Sequence, residues 1–362
     1  MRIEWSVEQW LRDDNSRRVA DEREPADTGD EGTIDCLMSD LPAPPLSAAP
    51  GYAIQPRERI SADEVLQHDE ELTFPPVARR LAVRPATGVW SGAWALDERG
   101  PVGLALVEMV EQVETDGAAA TGPAGTRGVA QVLSLAVLPG HRGRGVGGAL
   151  LAAAERLAAS AGASALEGAY RTSWRSRPAI EALLAARGWS PPESRMVLAR
   201  GETAFARGIL RTGAPELPPE AEIFSWEDLG AGEREAILAR QHEDRWYPEI
   251  LTPFQEAPRL EATISVGLRW QGEVAGWMIC HRVAFDTLQY SAFFLREDLR
   301  GRRLGWALLR EAVRRRLADP DLRHAILAVD ARNRRMRALV EGRLRPNLAG
   351  ISELRVSRKL LG

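Results

Sequence analysis

The chain has 362 residues and a formal net charge of −4, too long for one compact core, which points to two domains. Only Cys36 and Cys280 are present, which excludes a disulfide framework and a four-cysteine zinc site. No apolar run approaches a bilayer span and the first five residues carry no signal-peptide core, so a reduced, cytoplasmic protein without a membrane segment is expected.

Residues 1–50 hold five arginines against twelve acids, a net of −7. They open on an amphipathic stretch (Ile3, Trp5, Val7, Trp10, Leu11) and end in the proline-rich run 39–51, so they read as an acidic extension and linker. A first strand is expected at Tyr52–Gln55 and a helix over Ala62–Glu70. Trp90–Asp97 and Pro101–Gln112 read as a hairpin about Glu98-Arg99-Gly100. A small-residue loop over Thr115–Gly128 precedes a central strand at Gly128–Leu138, a helix over Gly143–Ala161 and a strand at Ala165–Arg171. A helix over Pro178–Arg187, ended by Gly188, and a strand at Met196–Arg200 close this first pass.

A second pass follows: Glu222–Trp226 (strand), Glu233–Arg240 (helix), Gly267–Trp270 with Glu273–Arg282 (hairpin) and Leu288–Leu295 (central strand). His324–Asp330, a helix over Arg332–Glu341 and a strand at Leu354–Leu360 complete it. Three anchors repeat: HRGRGVGGALL at His141 with LRGRRLGWALL at Leu299, VGLALVE at Val102 with AGWMICH at Ala275, and QHDEE at Gln67 with QHEDR at Gln241. Duplication explains them. The expected domains are 51–202 and 220–362, with 203–219 as the linker. Residues 296–362 carry a net of +10, but the arginines lie on helix-like stretches without interleaved aromatics. A solvated helix face or contacts to a ligand's phosphates, not a nucleic-acid site, is expected.

The most informative stretch is Val132–Leu151. A strand-like run meets Pro139, passes through Arg142-Gly143-Arg144-Gly145-Val146-Gly147-Gly148 and enters an alanine-rich helix, which presents successive N–H groups and a positive helix end to an anion. The arginine followed by glycines three and five places later (Arg142, Gly145, Gly147) resembles the pyrophosphate-binding segment of the Gcn5-related N-acetyltransferase (GNAT) superfamily. Together with the duplication, the chain resembles a tandem GNAT protein. The resemblance implies an α/β fold class: two domains, each a mixed, mostly antiparallel sheet flanked by helices. It also implies an N-acyltransferase that uses acetyl-CoA or another acyl-CoA as co-substrate, needs no metal, and transfers the acyl group by direct attack of a primary amine of a small molecule or peptide.

On that resemblance, the loop residues Arg142, Gly143, Arg144, Gly145, Val146, Gly147 and Gly148 hold the pyrophosphate, and Leu135, Ala136 and Val137 pair with the pantetheine arm. The second copy is degenerate: Arg303 stands where Gly145 stands, and Trp306 where Gly148 stands. The family's helix asparagine and tyrosine are incomplete in both copies, since Asn333 is matched but Val340 and Leu184 occupy the tyrosine place. Tyr170 or Ser173, just past the fifth strand, is the expected substitute acid. Glu108 and His281, polar residues in otherwise apolar strands, are the expected bases, or alternation turns them to solvent. His68–Glu71 and His242–Tyr247 are expected either to hold a cationic amine, with Trp246 and Tyr247 as walls, or to be solvated helix ends. Two alternatives stand beside this reading: catalysis in the second domain, or a non-catalytic acyl-CoA sensor. The expected state is a monomer or homodimer.

Overall fold

A computed structural model describes residues 50–66, 72, 90–110, 128–213, 215–255 and 257–362. The N-terminal extension, His68–Glu71 and all but the last residue of the Thr115–Gly128 loop lie outside these residues. The chain divides into two compact units, one made of the residues up to Ser194 together with Arg355–Gly362, the other of Arg195–Leu354.

In the first unit, β1 (Ala53–Ile60) is followed by the short α1 (Ala62–Leu66), and β2 (Trp90–Asp97) and β3 (Gly100–Val110) form the expected hairpin. The turn is set by Asp97, whose Oδ1 accepts from the backbone N–H of Arg99 and Gly100 at 2.7 and 3.1 Å. Then come β4 (Val129–Val137), α2 (Val146–Ser160), β5 (Ala165–Arg171) and α3 (Arg177–Ala186). The sheet runs β1-β2-β3-β4-β5, antiparallel except between β4 and β5. Alternation splits its side chains between two cores. Val102, Ala105 and Val107 pack with Leu150, Leu151, Ala154 and Ala158 of α2 on one face. Trp90, Trp94, Leu104 and Leu106 pack with Ile60, Val65 and Leu72 on the other. The alanines let α2 lie close to the sheet. Behind α2, Arg187 makes a two-pronged bond to Glu155, which also accepts from Trp189 Nε1 at 2.8 Å.

The second unit repeats this plan with β7 (Ala221–Ser225), α5 (Ala231–Asp244), β8 (Val266–Trp270), β9 (Glu273–Ala284) and β10 (Thr287–Leu295). It continues with α6 (Leu304–Arg316), β11 (His324–Asp330) and α7 (Arg334–Ala338), which runs on as one π-helical stretch, Leu339–Leu344. Again only the pairing of β10 with β11 is parallel.

The last strand of each copy is exchanged. In β6 (Glu193–Gly201), Met196–Gly201 pair with β11, so the strand expected to close the first copy closes the second. In β12 (Leu348–Leu360), the end from Arg355 onward belongs to the first unit. There Arg358 and Ser190 exchange bonds (Ser190 N–H to Arg358 O, 2.8 Å; Arg358 N–H to Ser190 Oγ, 2.9 Å), and Leu361 N–H reaches Ser164 O at 3.0 Å. The segment expected as a linker contains α4 (Thr203–Arg211), whose Phe205, Ala206 and Ile209 are buried in the second unit's core. A side chain at Gly208 would run into Asn347. Much of the basic tail is accounted for here. Arg310 donates to the Ile209, Leu210 and Thr212 carbonyls, which finish α4, and Arg314 and Arg315 pair with Glu311.

Candidate active site

The parallel pairing of β4 with β5 stops early. It runs from Val129–Ala165 to Val132–Gly168, yet β4 continues to Val137 and β5 to Arg171. The cause is visible in the other neighbour of β4: Leu106 pairs with Ser134 but Val107 pairs with Val132, so Leu133 is an extra residue, a β-bulge. A bulge bends and twists its strand, and here it carries the end of β4 away from β5. The backbone of β4 beyond Leu133 is therefore not paired with β5. Leu138 N–H bonds Val102 O across to β3; by the alternation of an antiparallel ladder, Leu135 and Val137 turn their N–H and C=O groups to the open edge.

The open edge leads into the loop. Leu138 and Pro139 begin a 3₁₀ turn, and Arg142 doubles back so that its Nε donates to Val137 O at 2.9 Å. Gly143 and Gly145 have φ of +72° and +83°, the left-handed region that suits glycine, and Gly145 is the residue from which α2 starts. The first turn of α2 leaves its N–H groups facing outward. A Cβ at Gly147 would meet nothing closer than Leu183 and Val137 at 3.8 and 3.9 Å, and one at Gly148 only Leu183 at 3.7 Å. There is thus room over the helix start for a ligand that bonds its backbone. Arg144 reaches Tyr52 Oη at 3.5 Å; that hydroxyl lies 3.0 Å from His141 Nδ1, and His141 Nε2 lies 3.8 Å from Asp97. The ten expected co-substrate residues lie along the end of β4 (Leu135–Val137) and through the loop into the start of α2 (Arg142–Gly148).

The second unit keeps the backbone of this arrangement. Pairing of β10 with β11 stops at Tyr290–Leu327, and Ser291 is the bulge. Gly301 and Arg303 have φ of +86° and +64°, and Arg300 Nε points to Leu295 O at 3.4 Å. The groove itself is filled. A Cβ at Gly305 would come within 2.9 Å of the Phe293 ring, and Trp306 is 8% exposed with the Arg343 guanidinium 3.8 Å above its ring.

The expected proton-transfer residues fall in three places. Tyr170 lies near the end of β5 beyond the point of divergence, on the α2 face, and donates to Glu181 Oε1 at 3.0 Å; Glu181 is also bonded by Arg355 at 3.2 Å. Burial and the Glu181 bond push the Tyr170 pKa up to about 12. Glu108 is opposite Gln131, two residues along from Leu106, and so faces the Trp90–Trp94 side of the sheet. His281 is opposite Gln289 in the second unit, the matching register. It is buried, with Nδ1 2.7 Å from Ser291 Oγ and Nε2 3.0 Å from Gln255 O. Trp246 and Tyr247, expected as pocket walls, pack edge-on against Trp277 and Phe294 in an aromatic core where Tyr247 is buried. The two bulges are the feature that sequence reasoning missed; neither Leu133 nor Ser291 carries a marker in its residue type.

A model of the acetyltransferase (GNAT) family matches residues 55–188 and again 229–343. The chain belongs to that family. One match falls in each copy, so it is a two-domain GNAT protein. Its fold is similar to a tandem GNAT protein from the clavulanic acid biosynthesis pathway (18% identity, TM-score 0.52, 86% of this chain and 99% of that one). It is similar also to a GCN5-related N-acetyltransferase from Sphaerobacter thermophilus (16%, TM-score 0.50, 86% and 96%). No curated protein sequence matches it. Among the described residues of this GNAT chain, no helix is long and apolar enough to cross a membrane. Nor does any group of three or more His, Cys, Asp or Glu residues stand ready for a metal ion.

Proposed function

We propose that this GNAT protein is an acyl-CoA-dependent N-acyltransferase, with acetyl-CoA as the default donor, and that the first unit holds the donor. The observation that carries this is the β4–β5 divergence opening directly onto the Arg142–Gly148 loop. The pyrophosphate takes the N–H groups at the start of α2, with Arg142 and Arg144 adding charge. The pantetheine arm lies along the free edge of β4 at Leu135–Val137, and the N–H groups at that edge stabilise the oxyanion. In the second unit Phe293 and Trp306 occupy the equivalent space, which supports a structural or substrate-shaping role for that copy.

The amine is expected to arrive protonated and to give one proton to Glu108. Its nitrogen then attacks the thioester carbonyl, the N–C bond forms, and collapse of the tetrahedral adduct breaks the C–S bond. The nitrogen gives its second proton to solvent as the C–S bond breaks, and the departing thiolate takes one up from a donor that solvent reprotonates. Tyr170 is the candidate donor to sulfur, and its raised pKa keeps it protonated at neutral pH; to act, it must release Glu181. A thiol of ordinary pKa, ~8.5, leaves acceptably without help, so Tyr170→Phe should slow turnover by only about tenfold. His281 would have to give up a bond at one ring nitrogen to serve as a base; Glu108 is preferred because it lies in the same unit as the intact Arg142–Gly148 loop. The buried, unpaired thiol of Cys280 is in keeping with a reducing, cytoplasmic setting. Acetyl-CoA and a panel of primary amines, followed by free-thiol release, test the reading. Saturable, amine-dependent release is expected, and Glu108→Gln should lower its kcat. Release no faster than hydrolysis with every amine would leave only an acyl-CoA sensor.

A further inference from the structure

The face of the first unit's sheet that carries Glu108 holds two polar atoms with nothing to bond. Trp90 and Ser134 are each 2% exposed, and neither Trp90 Nε1 nor Ser134 Oγ has a hydrogen-bond partner. Their placement follows from register. Ser134 is directly opposite Leu106, and opposed residues of an antiparallel pair share a face. Leu106 packs with Trp90 and Trp94 on the face away from α2, so Ser134 faces the same way. Glu108 follows Leu106 by two residues and joins them, with Gln131 opposite it. Ser91 pairs with Val107, which puts Trp90 beside Glu108 across β2 and β3. Ser134 immediately follows the bulge at Leu133, where β4 leaves β5. The neighbouring Trp94 shows the ordinary arrangement: its Nε1 donates to Glu64 Oε1 at 3.2 Å.

Buried polar atoms are nearly always bonded, and an orphan in a native protein calls for a partner from elsewhere. The chemistry of the missing partner is constrained. An indole N–H only donates, so Trp90 requires an acceptor oxygen, and the serine hydroxyl both donates and accepts. Glu108, beside them, suits an ammonium group. We propose that the acyl acceptor is a hydroxylated primary amine, of the amino alcohol or amino sugar class. Its hydroxyl oxygens bond Trp90 Nε1 and Ser134 Oγ while its nitrogen faces Glu108. This rests on the N-acyltransferase reading and adds the substrate class to it. A plain alkyl amine or polyamine leaves both buried atoms unpaired. A site built to bond a hydroxyl discriminates strongly against an analogue without one.

The test compares matched pairs of amines, ethanolamine with propylamine and glucosamine with cyclohexylamine, by kcat/KM for thiol release from acetyl-CoA. The hydroxylated member of at least one pair should be favoured by about tenfold or more. The preference should fall toward unity in Ser134→Ala and in Trp90→Phe, which keeps the ring and removes the donor. Titration with CoA checks that each variant is folded; should Trp90→Phe fail that check, Ser134→Ala decides. Equal kcat/KM within both pairs overturns the inference, as does a preference that survives in the folded variants. No release with any amine would instead remove the N-acyltransferase reading itself, so the two failures are distinct.

Discussion

Replacing Gly148 by tryptophan writes the second unit's plug into the first. The backbone permits it: a Cβ at Gly148 meets only Leu183 Cδ1, at 3.7 Å, and the position is helical. Exchanging glycine for tryptophan in a helix gains roughly 0.5 kcal/mol in propensity, and covering about 100 Å² of apolar surface around Leu183 adds about 2.5 kcal/mol. Trp306, almost fully buried at the equivalent place, shows that such a helix start can seat an indole. The variant should therefore be at least as stable as the wild type to urea. Its affinity for CoA should collapse. Losing two backbone N–H bonds to a charged phosphate, at about 1.5–3 kcal/mol each, removes at least ~3 kcal/mol, or more than about a hundredfold in Kd. Isothermal titration with CoA, alongside a urea melt, reads both quantities. A folded Gly148→Trp protein that binds CoA within about threefold of wild type would refute the placement of the donor over α2.

Arg303 holds a left-handed conformation at the position of Gly145. Arg303→Gly should therefore stabilise the protein by about 1 kcal/mol in denaturant titration, with CoA binding in the first unit unchanged. Tyr170 ionises at about 12 in the folded protein against an ordinary 10. The stability it contributes is thus complete below pH 10 and lost as pH rises from 10 to 12; alkaline unfolding of wild type should be steeper in that window than that of Tyr170→Phe. Removing Arg355–Gly362 should abolish CoA binding, although no residue of the loop is touched, because the first unit loses the strand that bonds Ser190 and Ser164. Retained affinity in the shortened chain would show that the strand is dispensable.

The legible features were those fixed by local chemistry. The β2–β3 hairpin follows from Asp97 and Gly100, and the loop from glycines at the very positions where φ turns positive. The partner of a strand is another matter. The sequence RMVLAR at Arg195–Arg200 has the apolar content that suits either sheet, and nothing local tells it to pair with β11 instead of β5. The helix Thr203–Arg211 was masked by its place between two repeats and by its modest apolar content. The bulges escaped because neither Leu133 nor Ser291 has the positive φ that would call for glycine. Alternation did place Glu108 and His281 at matching positions, but it could not show that Ser291 and Gln255 take both nitrogens of the histidine.

The exchange of β6 and β12 also bears on the order in which the molecule acquires structure. The strand that completes the first unit is encoded downstream of the entire second unit, so as the ribosome delivers the chain, β5 waits without its outer neighbour. An open edge held for that long invites pairing with other chains, and the sequence separation of the final contact makes it a slow one. The first unit, although first in the sequence, is the later of the two to be finished.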